Sequence, residues 1–165
     1  MSIPFLNKNL RNIASVVASV GSIKGRKKLQ KMIFILKNLG APFQERFKLY
    51  YFGPYSVDLQ LELEELSLLK IIEEIWDGNL CLYNFKSEEL KKNFLDNSEV
   101  KEYIPVIKEL NKTNTSVLEL LSTYLYLIRV EENEEIARKK LKIIKPHLYS
   151  KFEEALNLWE RIRLN

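Results

Sequence analysis

The sequence predicts a mainly α protein with a small β hairpin. Three observations carry that prediction. Apolar residues recur at the 3.6-residue helical period through most of the 165 residues. Asp77-Gly78 separates two short β-prone runs, Ile71–Trp76 and Asn79–Phe85. The eighty residues after that read as helix alone. Composition agrees with a chain that folds unaided: it is 46% hydrophobic and 29% charged, and a chain of this length buries roughly 70% of its extended surface.

Asn7 or Asn9 can cap a first helix, in which Leu10, Ile13, Ala14 and Val17 form one stripe and Gly21 closes the end. After a short connection over 21–25, a second helix carries Leu29, Met32, Ile33 and Leu36, with Gly40 and Pro42 beyond it. The aromatic run Phe47 to Phe52 suggests a strand that Gly53-Pro54 cuts. Leu59, Leu63 and Leu66 mark a third helix over about 55–69. The Asp77-Gly78 turn then builds a ribbon with Ile75 opposite Leu80 and Ile72 opposite Tyr83.

In the remainder, Ser87 caps a short helix, and Val100, Tyr103, Ile104 and Ile107 define another that Pro105 would kink. Ser116 with Glu119 has the spacing of a capping box before a helix apolar nearly all round, from Val117 to Val130. Glu134–Arg138 and Glu135–Lys139 are i, i+4 pairs on the next helix, which Pro146 stops. A second capping box, Ser150 with Glu153, precedes a last helix striped by Phe152, Ala155, Leu156 and Trp159. Helix, helix, short strand, helix and two-stranded ribbon is the order of a winged helix. The expected architecture is therefore a winged-helix-like subdomain over 1–85 packed on a helical subdomain over 86–165, in a single compact unit.

Charge is the most informative part of the composition. The formal net charge of +4 divides into +9 over residues 1–55, −10 over 56–135 and +5 over 136–165. Either a polyanion meets the basic N-terminal end, or the oppositely charged segments neutralise each other once folded. Five cations, Lys24, Arg26, Lys27, Lys28 and Lys31, crowd the start of the second helix. Free backbone N–H groups there already favour anions, so phosphate contact is one reason for them. The other reading is a solvated helix face with Arg26 paired to Glu64 or Glu65. As a recognition helix the third helix would turn Asp58, Glu62, Glu64 and Glu65 toward phosphates, which repels them, and it offers few base-reading side chains.

Catalytic constellations are sparse. His147 is the single histidine, and Cys81 falls in a predicted strand as a small buried hydrophobe. Gly21 to Arg26 has the look of a phosphate loop but the wrong spacing. One cysteine permits no internal disulfide and no Cys-based zinc cluster, which suits a reducing cytoplasm. Uncharged stretches are too short to cross a bilayer, and no secretory signal opens the chain. The expectation is no enzyme, no metal, no cofactor and no membrane partner.

Two motifs carry a family likeness. Gly25-Arg26-Lys27-Lys28-Leu29-Gln30-Lys31 running into Met32-Ile33-Phe34-Ile35-Leu36, and Tyr51-Phe52-Gly53-Pro54-Tyr55-Ser56 followed by Leu59, Leu63, Glu64, Leu66 and Leu69, resemble segments of the YwgA-like winged-helix proteins. A looser similarity runs to the SocA-like (Panacea) domain of toxin-neutralising proteins. The resemblance implies a winged-helix-like fold and a regulatory or interaction role. Two functions follow as expectations. The first is a non-enzymatic nucleic-acid-binding regulator of transcription, holding duplex DNA through Lys24, Arg26, Lys27, Lys28 and Lys31. The alternative is a protein-interaction module of antitoxin or defence-adaptor type, using the acidic third helix and the stretch containing Tyr51, Gly53, Pro54, Tyr55 and Ser56. A symmetric homodimer and a hydrolase with an unrecognised acidic site are weaker readings.

Overall fold

A computed structural model describes residues 6–165. Helix α1 (Lys8–Val20) is capped by Asn7, whose side chain accepts the Leu10 N–H at 2.8 Å. Leu10, Ile13, Ala14 and Val17 are its buried stripe, and Gly21 turns the chain out at φ +77°. The connection after it is a strand, β1 (Ser22–Lys24), rather than a bare loop. Helix α2 (Arg26–Asn38) follows and buries every residue from Leu29 to Leu36.

Gly53-Pro54 does not cut a strand. It opens one: β2 (Lys48–Tyr50) pairs antiparallel with β3 (Gly53–Tyr55) across the Tyr51-Phe52 turn, so this segment is a second small hairpin. Proline is tolerated there because this two-stranded ribbon is all edge. Helix α3 (Val57–Leu68) starts at Ser56, whose hydroxyl accepts the Leu59 N–H.

The expected ribbon is β4 (Ile72–Asp77) and β5 (Leu80–Phe85), but its register is two residues away from the expected one. Asp77 pairs with Leu80 and Ile75 with Leu82, because the loop residues are Gly78 and Asn79 rather than Asp77 and Gly78. Gly78 at φ +59° fills the first loop position, as in a type II′ turn. Strand β1 adds antiparallel to β5, giving a three-stranded sheet in the order β1-β5-β4.

The rest is helical: α4 (Glu88–Asp96), α5 (Ile104–Lys112), α6 (Thr115–Glu131), α7 (Glu134–Ile144) and α8 (Phe152–Arg163). The chain is mainly α, 64% helical, with eight α-helices among the described residues. Pro105 does not kink α5. A 3₁₀ turn over Lys101–Tyr103 comes first, and Pro105 sits in the opening turn of α5, where no N–H is missed. Neither capping box forms. Asn114 caps α6 by accepting the Ser116 N–H, and α8 grows out of a 3₁₀ turn, Tyr149–Lys151, without a side-chain cap. Ala155, Leu158 and Ile162 face the core from α8, while Leu156 and Trp159 flank it. Glu135–Lys139 pairs at 2.9 Å, whereas Arg138 lies over the Phe152 ring, 5.6 Å from its centroid.

Helix α6 is the axis of the molecule. It packs on α2 and β3 on one side and on α7 and α8 on the other, inside one continuous apolar core. No helix of the described residues is long and apolar enough to cross a membrane. Leucines sort sharply by position: Leu120 is fully buried, Leu68 is 83% exposed. Leu120→Ala should therefore cost about 2–5 kcal/mol in urea unfolding. Leu68→Ala should stay within about 0.5 kcal/mol of the parent protein.

Candidate functional site

The two sequence motifs meet in space. Gln30 on α2 clamps the backbone of Ser56 from both directions, its Nε2 donating to the carbonyl at 2.9 Å and its Oε1 accepting the N–H at 2.9 Å. One residue on, the Lys31 ammonium donates to the Pro54 carbonyl at 2.6 Å. Both side chains are fully buried. The motif residues thus fix β3 and the start of α3 onto α2.

Behind this clamp lies a buried ionic cluster. Glu119 of α6 accepts from Lys145, at the end of α7, at 2.7 Å and from Lys27 at 3.0 Å. Lys145 also donates to the Tyr51 carbonyl, and Lys27 lies 4.3 Å from the centroid of Phe52. Gly53 makes the closest approach. At φ +91° it lies so near α6 that an added Cβ would come 2.8 Å from the Thr123 hydroxyl. Burial lowers the Lys31 pKa to about 8; Glu119 opposes that shift, and the neighbouring Lys27 and Lys145 add to it.

The five cations at the start of α2 do not form an open basic patch. Arg26 makes two hydrogen bonds to Glu74 of β4, at 3.1 and 2.8 Å, rather than reaching Glu64 or Glu65, and it lies over Trp76. Lys27 is held by Glu119, Lys28 by the Asn111 carbonyl at 2.5 Å and Lys31 by Pro54. Lys24 is exposed and makes no ion pair among the described residues. Burial by itself would raise the Glu74 pKa, but hydrogen bonds from Arg26, Cys81 and Tyr83 outweigh it and hold the carboxyl below its usual range. Burial and the same Glu74 push the Cys81 thiol up to about 11, which leaves little thiolate for nucleophilic chemistry.

The second predicted set divides. Tyr51 is 78% exposed, while Gly53, Pro54 and Ser56 are buried and serve the clamp. Tyr55 is half-buried against Tyr50, their ring centroids 5.8 Å apart. What the turn offers to solvent is therefore Tyr50, Tyr51 and Phe52. His147 is exposed and lines an apolar groove with Leu49, Tyr50, Tyr51 and Ile143.

Helix α3 has an outer stripe that the sequence reading counted only for its acids. Val57, Leu61 and Leu68 are 55%, 58% and 83% exposed, with Glu64 and Glu65 between them. These positions fall on one face at i, i+4, i+7/8 and i+11. The sequence places Gln30 in a motif and Glu119 in a capping box, but shows neither their part in the clamp and the ionic cluster nor that of Lys145. A lone acid inside an otherwise apolar helix was the available signal for Glu119, since an unpaired carboxylate there is costly.

Two measurements check this arrangement. Gly53→Ala combines a left-handed backbone with a clash against Thr123, so it should lower stability by about 2–4 kcal/mol in urea unfolding. Lys31 titrates near 8 in the folded protein and near 10.5 when unfolded. The unfolded state then binds the extra proton between those values, and the Lys31 contribution to stability rises with pH across that window. The stability difference between the parent protein and Lys31→Met should climb by about 1 kcal/mol per pH unit at its steepest.

A Bacillus subtilis (strain 168) protein described as "Uncharacterized protein YwgA" is 33% identical over 94% of this chain and 97% of its own length. No family model matches the chain.

Proposed function

We propose that this chain, which belongs to the YwgA family, is a non-enzymatic protein-interaction module of antitoxin or adaptor type, acting in the cytoplasm. Its N-terminal half, α1 to β5, is a winged helix turned from the DNA groove to a protein. The element order and the β1-β5-β4 sheet support that reading of the fold. The observation that carries the function is the outer face of α3. A helix meant for the major groove would present Arg, Lys, Asn or Gln at these positions. This one presents Val57, Leu61 and Leu68 around Glu64 and Glu65. Apolar anchors at i, i+4 and i+11 suit a helix laid in a partner's apolar groove, and the glutamates favour a cationic rim on that groove.

The state of the α2 cations supports the same choice, because four of the five already have acceptors inside the protein. A second reading, the nucleic-acid-binding regulator, is favoured by one feature. Tyr50, Tyr51 and Phe52 stand exposed at a hairpin turn backed by Lys27 and Lys145, which is the ingredient list of a base-stacking platform.

Tagged protein purified from its own cells, as parent and as Leu61→Lys with Leu68→Lys, separates the two. A stoichiometric protein partner held by the parent and lost by the double variant, with unfolding temperature unchanged, is expected. Binding to single-stranded and to duplex DNA should be weak and nearly flat in salt. DNA binding with a steep negative salt slope, untouched by the α3 variant and flattened by Lys24→Glu with Lys48→Glu, would transfer the function to nucleic acid.

A further inference from the structure

A second polar centre lies away from the clamp, where the start of α1, the loop before β2 and the outer side of α3 meet. Asn9 of α1 donates through Nδ2 to Glu45 at 2.8 Å and to Glu62 of α3 at 2.5 Å. Glu45 is only 1% exposed, and its other oxygen, Oε2, has no hydrogen-bond donor among the described residues. Glu62 Oε2 and Asn9 Oδ1 are likewise buried atoms without a donor among the described residues. All three side chains line one open groove of about 640 Å³, together with Asn7, Lys8, Gln44, Arg46, Asp58 and Leu61.

The cations nearby do not neutralise the pair. Arg46 is taken by Asp58 at 3.2 Å, and Lys8 by Glu99 at 3.0 Å. Lys37 gives its ammonium to the Glu45 main-chain carbonyl at 2.6 Å and not to the carboxylate. Burial, repulsion from Glu45 and a hydrogen bond with it raise the Glu62 pKa to about 8, against the pull of Asn9. The two adjacent carboxyl groups, Glu45 buried and Glu62 half-buried, thus make no ion pair among the described residues, and three buried oxygen atoms beside the groove have no donor there.

We propose that Glu45, Glu62 and Asn9 form a binding site for one hard divalent cation of the calcium, magnesium or manganese kind. Oxygen donors select these ions, whereas zinc and copper favour imidazole and thiolate, and this groove offers neither. Among the described residues no three His, Cys, Asp or Glu side chains gather as a ligand set. Two carboxylates and an amide oxygen therefore supply part of the shell. Asn9 offers its carbonyl oxygen once the amide rotates, and water from the open groove supplies the rest. The ion would tie α1 and the loop at Glu45 to α3, one residue from Leu61.

Calcium, magnesium and manganese chlorides are titrated separately into the full chain at mildly alkaline pH and constant ionic strength, followed by calorimetry and thermal unfolding. At least one ion should bind with one-to-one stoichiometry and raise the unfolding temperature at millimolar concentration. Glu45→Gln and Glu62→Gln should each weaken that binding on the order of tenfold or more, while chelator-treated Glu62→Gln remains as stable as the chelator-treated parent. The proposal is overturned if none of the three ions binds or shifts unfolding. It is equally overturned if binding persists unchanged in both variants, because the ion then sits elsewhere.

Discussion

Glu119 stands in the second turn of α6 with both carboxylate oxygens occupied, one by Lys145 and one by Lys27, and the layers above it are arranged around that pairing. Lys145 reaches across to the Tyr51 carbonyl, Lys31 to Pro54, and Thr123, one turn along α6, packs against Gly53. The β2-β3 hairpin therefore rests on charged groups as well as on the apolar core that Leu49 touches. Desolvating ions costs several kcal/mol each, and removing one partner from a buried pair commonly costs about 3–5 kcal/mol. Such an arrangement tolerates one geometry only. It sets where β3 ends, where α3 begins, and hence which face of α3 meets solvent.

That constraint explains the uneven charge distribution. Basic residues of the first segment pair with acids of the middle one: Arg26 with Glu74, Lys27 with Glu119, Arg46 with Asp58 and Lys8 with Glu99. The last segment does the same through Lys145 with Glu119 and Arg161 with Glu109. Segregation along the chain becomes interleaving in space. The α2 cations are spent on internal contacts, and the surface that remains distinctive is α3, apolar where solvent meets it and acidic between.

Most of the fold was legible in the sequence because helical periodicity and turn chemistry are local properties. The stripes of α1, α2 and α3, the ribbon turn and the stop at Pro146 all follow from neighbouring residues. The misses are places where tertiary contacts overrode local preference. Ser116 and Glu119 have capping-box spacing, but Glu119 is claimed by two lysines from distant elements, and Asn114 takes the cap. The ribbon register moved by two because Gly78, not Asp77, occupies the left-handed loop position. The Gly-Pro pair reads as a break until Lys31 and Thr123 supply a reason for a strand to start there. No sequence spacing joins Asn9, Glu45 and Glu62; only the packing of α1 and α3 against the loop between them does.

A double-mutant cycle on Glu119→Gln and Lys145→Met, read by urea unfolding at neutral pH, tests the central role of the buried ionic cluster most directly. The structure predicts a coupling energy of about 2 kcal/mol or more between the two sites, since Lys145 loses its counter-charge without Glu119 and Glu119 keeps only the part-exposed Lys27 without Lys145. Additivity within about 0.5 kcal/mol would contradict it, and the hairpin would then be held by apolar packing alone.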